Sequence, residues 1–263
     1  MLRGAAKAGT PVMVLDRPNP INGIQREGPL VDPGFESFIG ILPIPMRHGL
    51  TLGELALMAN HQMRIQCDLT VIQMEGWRRD MWFEAAGHAW VPTSPGIPRF
   101  ETTLPYVGTC LVEGTNLSEG RGTPLPFEVV GAPWVDGFTM AEKMNALKLP
   151  GVIFLPYAFI PCSSKHAGQH CQGVQLHISD RQGFRPVYTG LHLVAACREL
   201  FPADFQFLTS SWEGHPAHFD LLVGSARPRE QLTDGATVEH IVSGWGEIID
   251  HFESSIQKYL LYQ

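Results

Sequence analysis

Along the chain, short apolar runs alternate with helical stripes, and this alternation predicts most of the elements. Residues 1–8 read as the last turns of a helix stopped at Gly9, and the continuous apolar run 11–15 has the pattern of a buried parallel strand ending at Asp16. A chain that opens part-way through such a unit is expected to lack its beginning. Residues 35–44 are apolar and expected to be extended. Thr51 and Glu54 then form a capping box ahead of a helix with the apolar face Leu52, Leu55, Ala56 and Ala59. Residues 68–74 alternate as a strand, and 76–90 carry an aromatic cluster (Trp77, Trp82, Phe83, Trp90) suited to a core or a sugar platform.

Three prolines within residues 92–98 make the strongest boundary signal. Beyond it, 106–113 read as a strand, 127–130 as a short extended piece, and Thr139 with Glu142 as the start of a helix ending near Pro150. Residues 152–160 and 174–179 read as paired strands, and 189–201 as an amphipathic helix stopped at Pro202. Residues 219–223 read as a strand and 225–232 as a short helix. From Thr237 onward Val238, Ile241, Val242, Trp245, Ile249, Phe252, Ile256 and Leu260 recur at three and four, the stripe of one long helix facing a core.

Composition narrows the function. With 263 residues, 44% hydrophobic and 17% charged, the chain is long enough for two modest domains. A net charge of −7 argues against nucleic acid as a partner, because phosphate recognition needs a basic footprint. No apolar run approaches the roughly 18 residues of a membrane span. The five cysteines form no CxxC pair, and the first residues lack the apolar region of a signal peptide. No GxGxxG follows a strand, and GxxxxGK[ST], GxSxG and HExxH are absent, so nucleotide cradles, the usual serine-hydrolase elbow and a zincin helix are unsupported. His166, His170 and Cys171 are good zinc-ligand types, but Gly168 breaks the helical spacing and no second pair accompanies them; incidental histidines in a loop are expected, with no metal and no cofactor.

What remains is carboxylates in polar, glycine-rich loops. After the first strand, residues 16–29 (DRPNPINGIQREGP) hold Asp16, Asn19, Asn22 and Glu27, more polar groups than a proline-rigid turn requires, at the carboxyl side of a strand where α/β sheets place ligands. His48 lies in the turn before the capped helix; it is a candidate substrate contact or a turn hydrogen-bonder. Residues 108–123 (GTCLVEGTNLSEGRGT) pack four glycines with Glu113, Asn116, Glu119 and Arg121, either a self-bonded turn or a cradle for a polar ligand. Carboxylates beside aromatics fit glycoside hydrolysis, in which two carboxyl groups flank the scissile bond. Glu113 and Glu119 would lie roughly 20 Å apart if extended at about 3.3 Å per residue, so they pair only if residues 114–118 fold back. A pair from two loops is easier to build, and Glu27 is the best acid candidate if burial raises its pKa.

The motifs DRPNPINGIQREGP, PIPMRHGLTLGELA, GTCLVEGTNLSEGRGT, PFEVVGAPW and HFDLL occur in this order, and with the final KYLLY they resemble the NamZ-type exo-β-N-acetylmuramidases over nearly the whole chain. The resemblance implies an α/β fold: a partial Rossmann-like catalytic domain (residues 1–97), then a smaller α/β domain (98–263), with a cleft between them. It implies release of terminal β-N-acetylmuramic acid from the non-reducing end of peptidoglycan fragments, in the periplasm or outside the cell; with no signal peptide in the first residues, a cytoplasmic location is expected instead if Met1 is the true start. Asp16, Asn19, Asn22 and Glu27 would belong to the catalytic-domain loop, and Glu113, Asn116, Glu119 and Arg121 to the second domain's contribution. Glu27, Glu119 and Glu113 are then the catalytic candidates, with Arg121 a partner for the lactyl carboxylate. Members of the family are longer at the N-terminus, where a PEHG-like segment carries another candidate glutamate. The alternative expectation is a non-catalytic sugar-binding remnant of such an enzyme.

Overall fold

The structure, a computed structural model, describes residues 1–210 and 214–263. In chain order its elements are α1 (Leu2–Ala8), β1 (Val12–Leu15), α2 (Leu52–Gln62), β2 (Leu69–Ile72), α3 (Thr103–Thr109), β3 (Val129–Ala132), α4 (Gly137–Ala146), β4 (Val152–Phe159), β5 (Cys171–Ile178), α5 (Pro186–Leu200), α6 (His218–Val223), α7 (Arg227–Thr233), α8 (Val238–Val242) and α9 (Trp245–Ile256). These are the helices and paired strands of an α/β protein. They gather into two compact units: residues 1–26, 47–90 and 246–263 form the first, and 27–46 with 91–245 form the second.

The first unit is a β–α–β arrangement. Strands β1 and β2 pair in parallel, Val12 opposite Leu69 and Leu15 opposite Ile72, as the long connection through α2 requires. The capping box of α2 forms as expected: Thr51 Oγ1 accepts from the Glu54 N–H, and the Glu54 carboxylate accepts from the Thr51 N–H. β1 departs from the expectation of burial on both faces. Its residues alternate, with Met13 64% and Leu15 56% exposed, because a two-stranded sheet covered by helix on one side leaves its other face open. The body of α9 packs Phe252 and Ile256 inward, and buried Tyr259 follows it.

The second unit is built on a three-stranded antiparallel sheet in the order β3-β5-β4. Helix α4 lies against it and α5 packs on α4 and α3; Met140, Met144, Phe154, Val174, Leu176, Leu191 and Val194 are buried in this unit. Two apolar runs expected as strands are helical. Residues 103–109 form α3, followed by a 3₁₀ turn at Cys110–Gly114, and residues 218–223 form α6. Periodicity does not separate a short buried helix from a buried strand; close packing decided both. A Cβ at Gly108 would run into the Pro186 carbonyl, and one at Gly114 into the Phe219 backbone, so α3 packs on α5, and α6 on the 3₁₀ turn, at distances that only glycine allows. Residues 35–44 form turns around one Ser37–Gly40 bridge. The expected single C-terminal helix is α8 and α9, interrupted at Ser243 and Gly244.

Candidate active site

In the first unit, the polar side chains of the first loop are spent on the loop itself. Asp16 is 1% exposed and accepts four hydrogen bonds: from the Arg17 and Gly53 N–H groups at 2.9 and 2.8 Å, and from Thr51 Oγ1 and the Tyr262 hydroxyl at 2.7 Å each. It therefore joins the carboxyl end of β1 to the N-terminal turn of α2 and to the C-terminal segment. Asn19 accepts from the Ile21 N–H and donates to the Leu50 carbonyl. Asn22, at φ 65°, accepts from the Ile24 and Gln25 N–H groups, an Asx-type turn in the left-handed conformation that asparagine tolerates. His48 Nδ1 accepts from the Leu50 N–H. Burial, assisted by the charge of Arg26, pushes its imidazole pKa down to about 4. Beneath this loop runs a buried ion pair, Arg79 with Glu54 at 2.6 Å. Arg79 also donates to the Gly23 and Gly49 carbonyls, and the same Glu54 oxygen accepts from the Leu261 N–H. In the sequence Glu54 is legible only as a helix cap, and nothing local marks Arg79 as its partner.

The remaining candidates belong to the second unit. Glu27 is 7% exposed, and its two carboxylate oxygens accept the Val187 and Tyr188 N–H groups at 3.1 and 2.8 Å. Those are the free donors of the first turn of α5, so the side chain caps the positive end of that helix as an anion. Arg185 Nε lies 3.8 Å away.

The glycine-rich loop folds back, which brings its carboxylates together. Arg121 Nη2 lies 3.3–3.4 Å from both oxygens of Glu113, while its Nε lies 3.3 Å from Glu119 Oε1. One guanidinium thus spans two carboxylates whose positions in the chain would separate them widely if extended. Glu119 is 2% exposed, and its second oxygen lies 3.1 Å from Lys165 Nζ. That ammonium also donates to the carbonyls of Val112, Glu113 and Leu117. Burial lowers the Lys165 pKa, with the charge of Glu119 opposing. Glu113 is more open, and burial is the largest cause of a raised pKa; Arg121 opposes that shift and Glu119 adds to it.

The platform beneath Arg121 is Phe127, whose ring centroid is 4.8 Å from the guanidinium carbon. Phe127 has φ 63°, an uncommon conformation for an aromatic residue. It is held there by its N–H bond to the Glu119 carbonyl and by an edge contact with Tyr106, centroids 4.7 Å apart. Burial, then the neighbouring Cys110 and Glu113, pushes the Tyr106 hydroxyl up to about 12, so it is a neutral donor near neutral pH.

Of the sequence candidates in this unit, Glu113, Glu119 and Arg121 converge. Asn116 is a scaffold: its side chain binds the Asp204 carbonyl and the Gln206 N–H, and its own carbonyl lies 2.8 Å from His166 Nε2. Cys171 is buried at the start of β5, and no group of three metal-ligating side chains occurs among the described residues. In the loop that carries His166 and His170, the residue that reaches Glu119 is Lys165. A single lysine between two strands carries no local sequence signal of this role. The HFDLL motif is structural: Asp220 is held by a two-pronged Arg229 contact at 2.7 and 2.8 Å, and Phe219 packs on Gly114. No helix among the described residues is long and apolar enough to cross a membrane.

Comparison with known proteins adds three findings. Residues 1–101 match the family description "Exo-beta-N-acetylmuramidase NamZ, N-terminal", and residues 104–262 match its C-terminal counterpart. The chain is 42% identical, over 261 residues, to the peptidoglycan beta-N-acetylmuramidase NamZ of Bacillus subtilis (strain 168); the match covers 99% of this chain and 62% of that relative. Two crystal structures of DUF1343 family proteins from Bacteroides fragilis NCTC 9343 superpose with TM-scores of 0.89 and 0.78, at 34% and 31% identity, each match covering all of this chain and 69% of the other.

Proposed function

The chain belongs to the exo-β-N-acetylmuramidase NamZ family, and on that premise we propose that it serves a glycoside hydrolase releasing terminal β-linked N-acetylmuramic acid from the non-reducing end of peptidoglycan fragments. The observation that carries this reading is the shared Arg121 contact of Glu113 and Glu119. Two carboxyl groups in different surroundings are what glycosidic cleavage uses: one gives a proton, and the other stays charged beside the developing oxocarbenium ion. Glu113, with its pKa raised by burial, is the proton donor. Glu119, ion-paired with Lys165 and Arg121, supplies the negative charge. The contact from Arg121 to Glu113 is long, 3.3–3.4 Å, so the guanidinium is free to exchange it for the substrate's lactyl carboxylate, a bidentate partner. Glu27, the sequence candidate for the acid, serves in this proposal as the cap that positions α5. A substrate of this kind places the activity in the periplasm or outside the cell.

The test uses two substrates. Glu113→Gln should slow cleavage of a muramyl disaccharide by about 10²- to 10⁴-fold, the usual contribution of general acid catalysis. It should slow a nitrophenyl β-N-acetylmuraminide far less, because that leaving group departs without a proton. Equal losses on both would remove Glu113 from the acid role. Binding without turnover would favour a sugar-binding protein, if it occurred both in this chain and in the chain joined to the segment its longer relative carries beyond the shared span.

A further inference from the structure

Arg121 has one nitrogen that the scaffold leaves unused. Its Nη2 lies against Glu113 and its Nε against Glu119, while Nη1 makes no hydrogen bond to any described residue. The residue beside Nη1 is Gly96: a Cβ there would lie 2.9 Å from Nη1 and 3.3 Å from Phe127 Cε2. We propose that Gly96 is a specificity-determining residue of the glycosidase site: having no side chain, it keeps Nη1 open to one oxygen of the substrate's lactyl carboxylate, so that Nη1 and Nη2 clamp that group end-on. This role for Gly96 rests on the glycosidase reading proposed above.

The first support is how Gly96 is held. Residues 92–98 (PTSPGIP) contain three prolines, whose fixed φ stiffens the segment. Within it the Ser94 carbonyl accepts the Ile97 N–H at 3.0 Å, and Ser94 Oγ accepts the Gly96 N–H at 3.2 Å. The resulting turn leaves residues 92–95 exposed and buries Gly96 against Arg121 and Phe127.

The second support is which group would yield to a side chain at this position. Phe127 is 1% exposed, its N–H is bonded to the Glu119 carbonyl, and the Tyr106 ring packs against it, so it has no room to retreat. The Arg121 side chain is 39% exposed, and its guanidinium is the end of a flexible stem. A methyl group at 96 would therefore displace the guanidinium at little cost to the fold. It would also fill the space where a carboxylate oxygen belongs, about 2.7–2.9 Å from the nitrogen in a charge-assisted hydrogen bond.

The third support is the division of charge around Arg121. The Nη2 contact with Glu113 is long, and Nε holds Glu119 separately. A carboxylate arriving on Nη1 can take over Nη2 without disturbing Glu119. Burial raises the Glu113 pKa and Arg121 opposes that rise, so handing Nη2 to the lactyl group also leaves Glu113 more readily protonated, as a proton donor requires.

The test compares two ligands that differ only in the lactyl group, N-acetylmuramic acid and N-acetylglucosamine, titrated calorimetrically into the whole chain and into Gly96→Ala. The parent chain should prefer the acid by about tenfold or more, the worth of a charge-assisted contact. Gly96→Ala should weaken the acid alone, by about tenfold, with its Tm close to that of the parent. The methyl ester of N-acetylmuramic acid should bind the parent as weakly as N-acetylglucosamine, a measurement that needs no variant. On a nitrophenyl β-N-acetylmuraminide, whose leaving group needs no proton, the Gly96→Ala loss should fall on KM and not on kcat. Three results would overturn the proposal: no preference for the acid in the parent chain, an ester that binds as tightly as the acid, or a preference unchanged in Gly96→Ala. A preference that Gly96→Ala abolishes, in a chain that cleaves nothing, would overturn the glycosidase reading and uphold the role of Gly96. Cleavage with the preference unchanged would do the reverse.

Discussion

Lys165→Met removes an ammonium on which four acceptors converge. Its Nζ lies 2.8, 3.0 and 3.2 Å from the carbonyls of Leu117, Val112 and Glu113, and 3.1 Å from Glu119 Oε2. Methionine keeps most of the apolar stem, so the change isolates the charge. Breaking a buried ion pair by deleting one partner costs about 3–5 kcal/mol, because the other charge stays buried. Two features reduce that here: the Lys165 side chain is 23% exposed, and Arg121 still reaches the other oxygen of Glu119. The expected loss is therefore about 3 kcal/mol, near the low end of that range. At about 2–4 °C per kcal/mol for a chain of this size, the Tm should fall by about 6–12 °C. Urea unfolding followed by circular dichroism measures the loss, and a cycle with Glu119→Gln measures how much of it belongs to the pair. The double variant should recover about 1–2 kcal/mol relative to the sum of the singles. A single-variant loss below about 1 kcal/mol, or additivity within about 0.5 kcal/mol, would refute the account of Lys165 as the counter-charge of Glu119.

Three further outcomes are expected. His48 has a folded pKa of about 4 against an ordinary 6.5, so between those values the unfolded chain binds more protons. Stability should fall as pH drops from 6.5 towards 4, by up to about 3 kcal/mol, and His48→Asn, which keeps an acceptor for the Leu50 N–H, should flatten that slope in pH-dependent denaturation. Glu27→Gln should cost about 1–2 kcal/mol by weakening the cap of α5 while leaving kcat within a few-fold; a large kcat loss at unchanged stability would restore Glu27 as a proton donor. Gly108→Ala should destabilise by about 2 kcal/mol or more through overpacking against the Pro186 carbonyl, and a neutral result in thermal unfolding would show that α3 and α5 separate easily.

What sequence reveals here depends on the range of the interaction. The α2 capping box, the Gly9 stop with its left-handed φ of 64°, the pairing of β4 with β5 and the stripe carrying Phe252 and Ile256 are local or periodic, and they are legible in residue order. So are the long motifs that gave the family, because their residue order survives whatever the fold does with them. α3 and α6 were not legible, since their apolar runs suit either element and the deciding facts are the contacts of Gly108 and Gly114 with distant backbone. The roles within the loops were equally hidden. By itself, the sequence determined that carboxylates, an arginine and glycines sit together in residues 108–123, and that Asp16, Asn19, Asn22 and Glu27 crowd one loop. Only the tertiary structure decided that Asp16, Asn19 and Asn22 are bonded to their own surroundings, that Glu27 caps α5, and that Glu113 and Glu119 meet at Arg121 with Lys165 as the second cation. The physical reason is that composition sets which charges are available. Burial and partner atoms from distant segments decide which of them are consumed by the scaffold and which remain for chemistry.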